Sequence, residues 1–383
     1  MNISNKQHKI EIFRTNEERA KTLGLKAPPT VKGYFWKKEI VEGVITHNRK
    51  WEESVQEGTR QVDTYPKLLA MFLDMTPSCG LNCNFCYSSR EPLRARESPK
   101  KALNRLEIEY CIDVGQLFGV QTVVLAGRGE PTGDENFMHL VNYATKNDMQ
   151  TVVFTHNMNI TSILARELAA LNVSVIGKLG SLNPAVQDRI VGKKGAHMEI
   201  YAGLQILLNA GFASPRLAVD ATIMKSTLED LKQVFVYCRQ NNIIPYFEAL
   251  IMAGNALLHP YSMKKEQLSP EELVAFFKEL REIDETKYGY TWVITPGMHS
   301  LAYEDCKKNL TTISVRENGE VNTCVNERDT KIGSIRKGES LKRLICNSPT
   351  LMRIRQFGAP CCSTTCGSTN IVTSSDLIAS IKK

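Results

Sequence analysis

The sequence has no long apolar run. Its longest strongly apolar stretch, residues 68–73, spans six residues, whereas a membrane helix needs about 20. Residues 1–8 contain neither an apolar segment nor a small-residue cleavage site, so we expect a cytoplasmic protein without a membrane partner. With 42% hydrophobic and 23% charged residues, the composition excludes disordered and collagen-like proteins. A length of 383 residues predicts one large domain with appendages.

Charge of one sign is not concentrated anywhere. The 48 Lys and Arg residues exceed the 41 Asp and Glu residues and give a net charge of +7, which suits an anionic substrate, an acidic protein partner or RNA. A dense Lys/Arg stripe interleaved with aromatic residues is absent from the sequence. We therefore do not expect a nucleic-acid partner, and RNA modification remains an alternative only.

The chain is rich in cysteine, with 11 residues. A chain of this size does not depend on disulfides, and thiols stay reduced in the cytoplasm, so metal binding is the preferred interpretation. Cys111 and Cys238 are exceptions, because they fall on the apolar periodicity of predicted helices and are expected in the core.

Short apolar segments alternate with amphipathic segments between residues 68 and 285. Strands are predicted at 69–75, 122–126, 151–155, 173–176, 217–223 and 244–251, and helices at 104–118, 136–146, 162–171, 196–210, 228–240 and 270–285. This α/β pattern predicts a partial (β/α)6 TIM-like barrel whose active site lies at the carboxyl ends of the strands. We expect an N-terminal extension without clear helix or strand patterning at 1–66, the barrel at 67–294, and a small cysteine-rich iron–sulfur domain at 295–383.

Three cysteines follow the first predicted strand. Cys79, Cys83 and Cys86 are separated by three and two residues. Three thiolates in one tight loop can bind three irons of a [4Fe–4S] cluster and leave the fourth iron open. A structural zinc site is the alternative, but such sites usually pair two cysteines with a second close pair, which does not follow nearby.

This triplet, with the aromatic Phe85 before its last cysteine, resembles the signature of the radical S-adenosylmethionine (SAM) enzymes. The resemblance covers residues 68–290. It implies that the open iron of the [4Fe–4S] cluster binds SAM, that Phe85 lies near the adenine, and that a flavodoxin- or ferredoxin-type donor reduces the cluster.

A second motif follows the second predicted strand. The sequence Gly127-Arg128-Gly129-Glu130-Pro131 resembles the Gly-Gly-Glu-Pro turn of that family, whose carbonyls accept hydrogen bonds from the SAM ammonium group. The resemblance implies cofactor-binding roles for Gly127, Gly129 and Glu130. Arg128 replaces a glycine of the family turn, which requires a negative φ at that position.

Other polar residues fall at the ends of later strands. The resemblance implies that Lys178 and Ser181 contact the carboxylate or ribose of SAM, although Lys178 is equally compatible with a solvated rim. Candidate catalytic residues are His156, Asp220 and Glu248. Asp220 is notable because a charge within an apolar strand must point into a polar cavity or pair with another charge, whereas His156 is equally compatible with an ordinary loop histidine.

Six cysteines lie beyond residue 295. Residues 319–324 predict a hairpin with Asn318 and Gly319 in its turn, and together with the following cysteines they resemble the auxiliary-cluster domain of the SPASM and Twitch branches. The resemblance implies a second, auxiliary [4Fe–4S] cluster, with a zinc knuckle as the alternative. Its expected ligands are Cys306, Cys324 and Cys366, with Cys362, Cys361 or Cys346 as the fourth.

The resemblance implies an oxidoreductase that cleaves SAM reductively to a 5′-deoxyadenosyl radical and removes a hydrogen from its substrate. A polar small molecule and a peptide in natural-product or cofactor maturation are equally compatible substrates. A radical SAM epimerase, an RNA-modifying enzyme and a non-catalytic iron–sulfur carrier are the alternatives. The auxiliary cluster favours oxidation, because it can accept the electron left on the substrate.

Overall fold

The computed structural model describes residues 21–87, 102–258, 260–291, 308–325 and 331–357. Its strands form one sheet in the order β6-β5-β4-β3-β2-β1-β7-β8-β9. The strands are β1 (Ala70–Leu73), β2 (Thr122–Leu125), β3 (Gln150–Thr155), β4 (Val173–Lys178), β5 (Leu217–Ile223), β6 (Ile244–Ala249), β7 (Thr312–Val315), β8 (Glu320–Asn322) and β9 (Lys331–Ser334). Strands β1 to β7 pair in parallel, and β8 and β9 pair antiparallel.

The six predicted helices follow the six predicted strands, and further helices precede β1 and β7 or lie between and after these units. They are α1 (Lys38–Gln56), α2 (Arg105–Leu117), α3 (Phe137–Lys146), α4 (Ser162–Ala170), α5 (Pro184–Val191), α6 (Ala196–Asn209), α7 (Leu228–Gln240), α8 (Pro260–Glu266), α9 (Pro270–Ile283), α10 (Lys308–Thr311), α11 (Leu341–Asn347) and α12 (Pro349–Phe357). The predicted partial (β/α)6 barrel is confirmed. No helix within the described residues is long and apolar enough to cross a membrane.

Local signals set several of these boundaries. Asn104 caps α2 by accepting from the backbone of Glu107, whose carboxylate accepts from the Asn104 N–H in return. Ser269 and Glu272 form the same reciprocal arrangement at α9. Such a capping box satisfies two of the backbone N–H groups that a helix start leaves without partners. The predicted helix starts are therefore correct to within one residue.

The predicted lack of pattern before residue 67 is wrong, because α1 is a 19-residue helix. Its buried face is narrow and carries Val41, Val44 and Trp51. Glu52 on the same helix is buried beside Arg355 of α12, at 3.5 Å. The buried residues of α1 recur every three or four positions, which is the spacing of an amphipathic helix, so the pattern was present in the sequence and was missed.

The segment before α1 fills the interior of the barrel. Tyr34 is buried there among Phe72, Phe154 and Tyr246. The Tyr34 ring meets those of Phe154 and Tyr246 edge to face, with centroids 5.3 and 5.7 Å apart. This is the favoured geometry for aromatic pairs. An open barrel of six strands has an interior that side chains must fill, and this segment supplies part of the filling.

The C-terminal residues begin as a continuation of the barrel sheet. Strand β7 lies beside β1 with Ala70 opposite Thr312 and Leu73 opposite Val315. The predicted hairpin is present, because β7 pairs antiparallel with β8 and Gly319 adopts a φ of +81° in the turn. The predicted boundary at 294/295 lies outside the described residues, and it stays a prediction together with the boundary at 66/67.

Candidate functional site

A cavity opens at the carboxyl ends of the barrel strands. It measures about 1080 Å³ including its open mouth. Its wall contains most of the site residues predicted from the sequence: Cys79, Cys83, Phe85, Cys86, Gly127, Gly129, Glu130, His156, Lys178, Asp220 and Glu248. Parallel strands bring their carboxyl ends to one edge, so residues as distant in sequence as Cys79 and Glu248 meet there.

The cysteine loop is held by two neighbouring segments. The backbone N–H of Asn255 donates to the carbonyl of Cys86 at 2.8 Å, and its side-chain amide donates to the carbonyl of Cys83 at 3.1 Å. On the other side, the Asn82 N–H donates to the carbonyl of Val191 at 2.9 Å. The loop shape is therefore fixed by the protein. The role of Asn255 could not be found from sequence, because it depends on the close approach of two loops.

The three thiols of the loop share one environment. Burial raises the pKa of Cys79 to about 11 and also raises that of Cys83, and the other thiols of the loop add to both shifts. Thiols of this kind become thiolates when a bound metal supplies positive charge. Among the described residues, no three Cys, His, Asp or Glu side chains converge on a point where one ion could bind.

The turn after β2 requires glycine at two positions. Gly127 and Gly129 have φ values of +117° and +79°. A Cβ on Gly129 would lie 1.9 Å from the carbonyl oxygen of Thr76. Arg128 does not have a positive φ. A residue with a side chain can therefore replace the glycine that the family turn has at this position. The turn therefore lies directly on the segment that leads into the cysteine loop, and the Glu130 N–H donates to the Ser78 carbonyl at 2.8 Å.

Glu130 is a buried carboxylate with several donors. It accepts from the hydroxyls of Thr132 and Thr155 at 2.5 and 2.6 Å, and from the backbone N–H of His156 at 2.8 Å. His156 Nδ1 accepts from the Met158 N–H at 3.1 Å, and burial lowers the pKa of this imidazole. Glu130 thus joins the β2 turn to the end of β3, and the neutral form of His156 is favoured.

Lys178 and Asp220 form an ion pair on adjacent strands, with Nζ and Oδ2 2.6 Å apart. The Lys178 ammonium also lies 5.0 Å from the centre of the Phe85 ring. Burial opposes protonation of Lys178, but the charge of Asp220 and its hydrogen bond outweigh it and raise the lysine pKa. Asp220 therefore satisfies the expectation that a charge in an apolar strand pairs, and Lys178 carries positive charge beside the cysteine loop.

A second polar group in the cavity wall contains Glu248, Tyr34 and Lys308. The Tyr246 hydroxyl donates to Glu248 Oε1 at 2.6 Å, and the Lys308 ammonium donates to the Tyr34 hydroxyl at 3.1 Å. Burial, followed by the charge of Asp220, raises the pKa of Glu248. Sequence reasoning missed Tyr34 and Lys308 as cavity residues. The aromatic patch at 34–36 could have indicated the first, whereas Lys308 has no sequence signal.

The remaining predicted residues lie elsewhere. Ser181 is fully buried, donates to Asp230 and is not part of the cavity wall. Cys324 is buried in the barrel interior, and its neighbour Val325 lines the cavity. Cys346 on α11 belongs to the other hydrophobic core, between the sheet and the helices. Four predicted or alternative auxiliary ligands lie outside the described residues: Cys306, Cys361, Cys362 and Cys366. Cys111 and Cys238 are fully buried, as predicted.

Residues 73–238 match the family model of the Radical SAM superfamily. This part of the chain is therefore a radical SAM domain, and the family resemblance of the cysteine triplet is confirmed.

Named relatives include two kinds of protein. The chain is 32% identical over 176 residues to "Mycofactocin maturase MftC" of Mycolicibacterium smegmatis, covering 44% of this chain and 43% of that protein. It is 26% identical over 200 residues to "Fe-coproporphyrin III synthase" of Methanosarcina barkeri, covering 52% of this chain and 47% of that protein. The chain thus spans less than half the length of these two relatives.

Solved structures show the same fold. Streptococcus suis SuiB bound to precursor peptide SuiA superimposes with a TM-score of 0.57 at 18% identity, over 83% of this chain and 73% of that one. Native anSMEcpe with bound AdoMet gives a TM-score of 0.56 at 13% identity, over 82% of this chain and 95% of that one.

Proposed function

We propose that this chain is a radical SAM oxidoreductase that modifies a peptide. When bound, the [4Fe–4S] cluster and SAM supply a 5′-deoxyadenosyl radical that removes a hydrogen from the substrate. The observation that supports the proposal most is the cavity itself, whose wall brings the three-cysteine loop together with the Lys178–Asp220 ion pair at the strand ends. A relative named as a maturase, and a neighbouring structure bound to a precursor peptide, favour a peptide over other substrates.

The proposed roles near the cluster loop follow from the contacts there. Cys79, Cys83 and Cys86 bind the cluster, and the turn at 127–131 presents its backbone to the SAM ammonium. Lys178 lies beside both the loop and Phe85, and we therefore assign it contact with the SAM carboxylate or the ribose. Glu130 holds the turn in position through its hydrogen bonds and does not need to touch SAM.

The part of the cavity around Glu248, Lys308 and Tyr34 is the proposed substrate end. Glu248, Lys308 and Tyr34 offer an acid, a cation and a hydroxyl there, between aromatic walls. Such a site excludes water with its apolar surface and orients a polar substrate with a few fixed groups. We assign substrate contact to Glu248 and Asp220, and a positioning role to His156, whose backbone and ring are both engaged in hydrogen bonds.

We further propose an auxiliary [4Fe–4S] cluster bound by Cys324 with Cys306, Cys366 and either Cys362 or Cys361. Cys346 is removed from the candidates for the fourth ligand. It lies in the core between sheet and helices, whereas Cys324 lies in the barrel interior on the other face of the sheet. The position of Cys324 next to a cavity residue suits an electron acceptor for the substrate radical.

A small molecule is the second candidate substrate. The relative named Fe-coproporphyrin III synthase matches the larger share of this chain, 52%. The two cavity lysines are compatible with a substrate that carries carboxylates. We therefore keep a carboxylated tetrapyrrole as the alternative to a peptide.

The test is anaerobic incubation of the reconstituted full chain with SAM, using dithionite and then a flavodoxin or ferredoxin as reductant. Peptides encoded by neighbouring genes and an iron coproporphyrin are supplied in parallel. Formation of 5′-deoxyadenosine with a modified peptide supports the main proposal, and modification of the tetrapyrrole alone supports the second. Absence of SAM cleavage with both reductants would contradict both.

Deuterated water separates oxidation from epimerisation. Oxidation gives a product two mass units lighter and transfers substrate hydrogen to 5′-deoxyadenosine. An epimerase returns a hydrogen from an exchangeable donor, so that deuterium appears at the reacting carbon of a product with otherwise unchanged composition. We expect the lighter product, and deuterium incorporation would contradict the oxidoreductase assignment.

A further inference from the structure

Arg128 lies in the turn at residues 127–131, called here the SAM-binding turn after its proposed role, and connects it to a distant hairpin. Its guanidinium lies 2.9 Å from Oε1 of Glu317, which is 189 residues away in the chain. Glu317 belongs to the turn between β7 and β8 and is only 1% exposed, whereas about a quarter of the Arg128 side chain is exposed. A buried carboxylate in a hairpin turn is costly unless a cation neutralises it, and Arg128 provides that cation.

The inner side of the SAM-binding turn is held by the end of β1. Asp74 Oδ1 lies 2.1 Å from the place where a Cβ on Gly127 would be. The backbone N–H of Arg128 donates to the same carboxyl group. The Glu130 N–H donates a hydrogen bond to the backbone carbonyl of Ser78. These contacts hold the turn against the segment that leads into the cysteine loop. The Arg128 side chain holds the turn on the other side, where β7 lies beside β1.

The hairpin that receives Arg128 also leads to Cys324. Glu317 is followed by β8 (Glu320–Asn322), and Cys324 comes two residues after that strand. Glu317 Oε2 is buried without a hydrogen-bond partner among the described residues. Arg128 is the cation in direct contact with this carboxylate, and the charge of Arg336 also acts on it. A glycine at position 128, as in the family turn, could not make the contact.

We propose that Arg128 is a positioning residue, which locks the SAM-binding turn to the β7–β8 hairpin through Glu317 and so fixes the carbonyls that receive the SAM ammonium. The inference rests on the proposed function, because it assumes that SAM binds at this turn. Arg128 itself acts through Glu317 and the turn backbone, without touching SAM.

The test measures SAM binding directly, by equilibrium dialysis of labelled SAM against the reconstituted full chain. Arg128→Ala is expected to raise the Kd for SAM about tenfold, the size of one lost charge-assisted hydrogen bond, with unchanged iron content. Arg128→Lys is expected to restore part of the affinity. Lys331→Ala is the matched control, because it removes an exposed ion pair to Glu320 on the same hairpin without touching the turn. Its Kd is expected to stay within about twofold of wild type.

A double-mutant cycle shows whether Arg128 acts through Glu317. If it does, Glu317→Ala and the double variant have about the same Kd as Arg128→Ala, because each removes the same contact. Additive losses, or wild-type affinity in a folded Arg128→Ala variant, would overturn the inference. If Arg128→Ala does not fold, Glu317→Ala decides: it removes the acceptor of the Arg128 side chain and leaves the turn sequence unchanged, and an unchanged Kd overturns the inference. A wild-type chain that does not bind SAM would instead refute the proposed function.

Discussion

The carboxylate of Glu130 accepts a hydrogen bond from the backbone N–H of His156 at 2.8 Å. This bond connects the turn after β2 with the first residue after β3, and both segments line the cavity. The same carboxylate accepts from the hydroxyls of Thr132 and Thr155. An ionised carboxylate is an acceptor only, so it can satisfy all these donors at once. Glu130 of the Gly-x-Gly-Glu-Pro motif therefore holds the turn after β2 and the end of β3 together through hydrogen bonds.

Glu130→Gln is expected to destabilise the fold by about 2–4 kcal/mol, because its amide nitrogen cannot accept from the donors that surround it. Urea unfolding of the purified chain measures this. Glu229→Gln is the matched control, since the Glu229 side chain is 80% exposed, and its effect should stay within about 0.5 kcal/mol. Equal stability of the Glu130 variant and wild type would contradict the proposed role.

Simultaneous replacement of Cys79, Cys83 and Cys86 by alanine should abolish SAM cleavage and remove about four of an expected seven to eight irons per chain. Iron analysis and 5′-deoxyadenosine formation are the measurements. Cys238→Ala should retain both, because Cys238 is fully buried in the core. Stoichiometric zinc in place of iron would refute the cluster assignment.

Asn255→Ala removes the side-chain bond to the Cys83 carbonyl. We expect the cluster to form but to be lost faster to a chelator, and SAM cleavage to fall about three- to tenfold, since one hydrogen bond contributes about 1 kcal/mol. Asn241→Ala is the control, because its amide also donates to a carbonyl, that of Tyr237, on an exposed helix end. Identical chelation rates in the two variants would show that Asn255 does not support the loop.

Glu248→Gln should keep SAM cleavage in the absence of substrate and lose most product formation. Burial raises the pKa of Glu248, so its ionised fraction increases at a higher pH than for an ordinary glutamate. Wild-type product formation is therefore expected to rise with pH in that range, and the glutamine variant should lack this rise. An identical pH profile in both proteins would exclude a role for the carboxylate charge.

Asp74 should make stability fall as pH rises. Burial and the neighbouring Glu317 raise its pKa from 3.8 to about 8. The folded state then holds a proton that the unfolded state has released, so its stabilising effect is complete below the unfolded pKa and is lost as pH rises through the folded pKa. Between these values the free energy of unfolding should fall by up to about 1.4 kcal/mol per pH unit. Asp74→Asn should flatten this dependence in urea unfolding across the window, and a parallel decline in both proteins would contradict it.

The sequence by itself determined the barrel and the position of the cluster loop. Strand β5 begins and ends where it was predicted, because a buried parallel strand leaves an apolar run with clear limits. The cysteine spacing and the Gly-rich turn carry their chemistry in consecutive residues, so they could be recognised without coordinates. Asp220 could be placed as a paired or cavity-facing charge, and it pairs with Lys178.

Only the tertiary structure decided which distant residues complete the site. Tyr34, Lys308 and Asn255 reach the cavity or its loop from segments that are remote in sequence. Arg128 meets Glu317 because β7 lies beside β1. The two faces of the sheet separate Cys346 from Cys324, although both lie in the cysteine-rich tail. Local sequence encodes periodicity and loop chemistry, whereas contacts across more than a hundred residues depend on how the sheet is ordered, and that order is set by the packing of the whole chain.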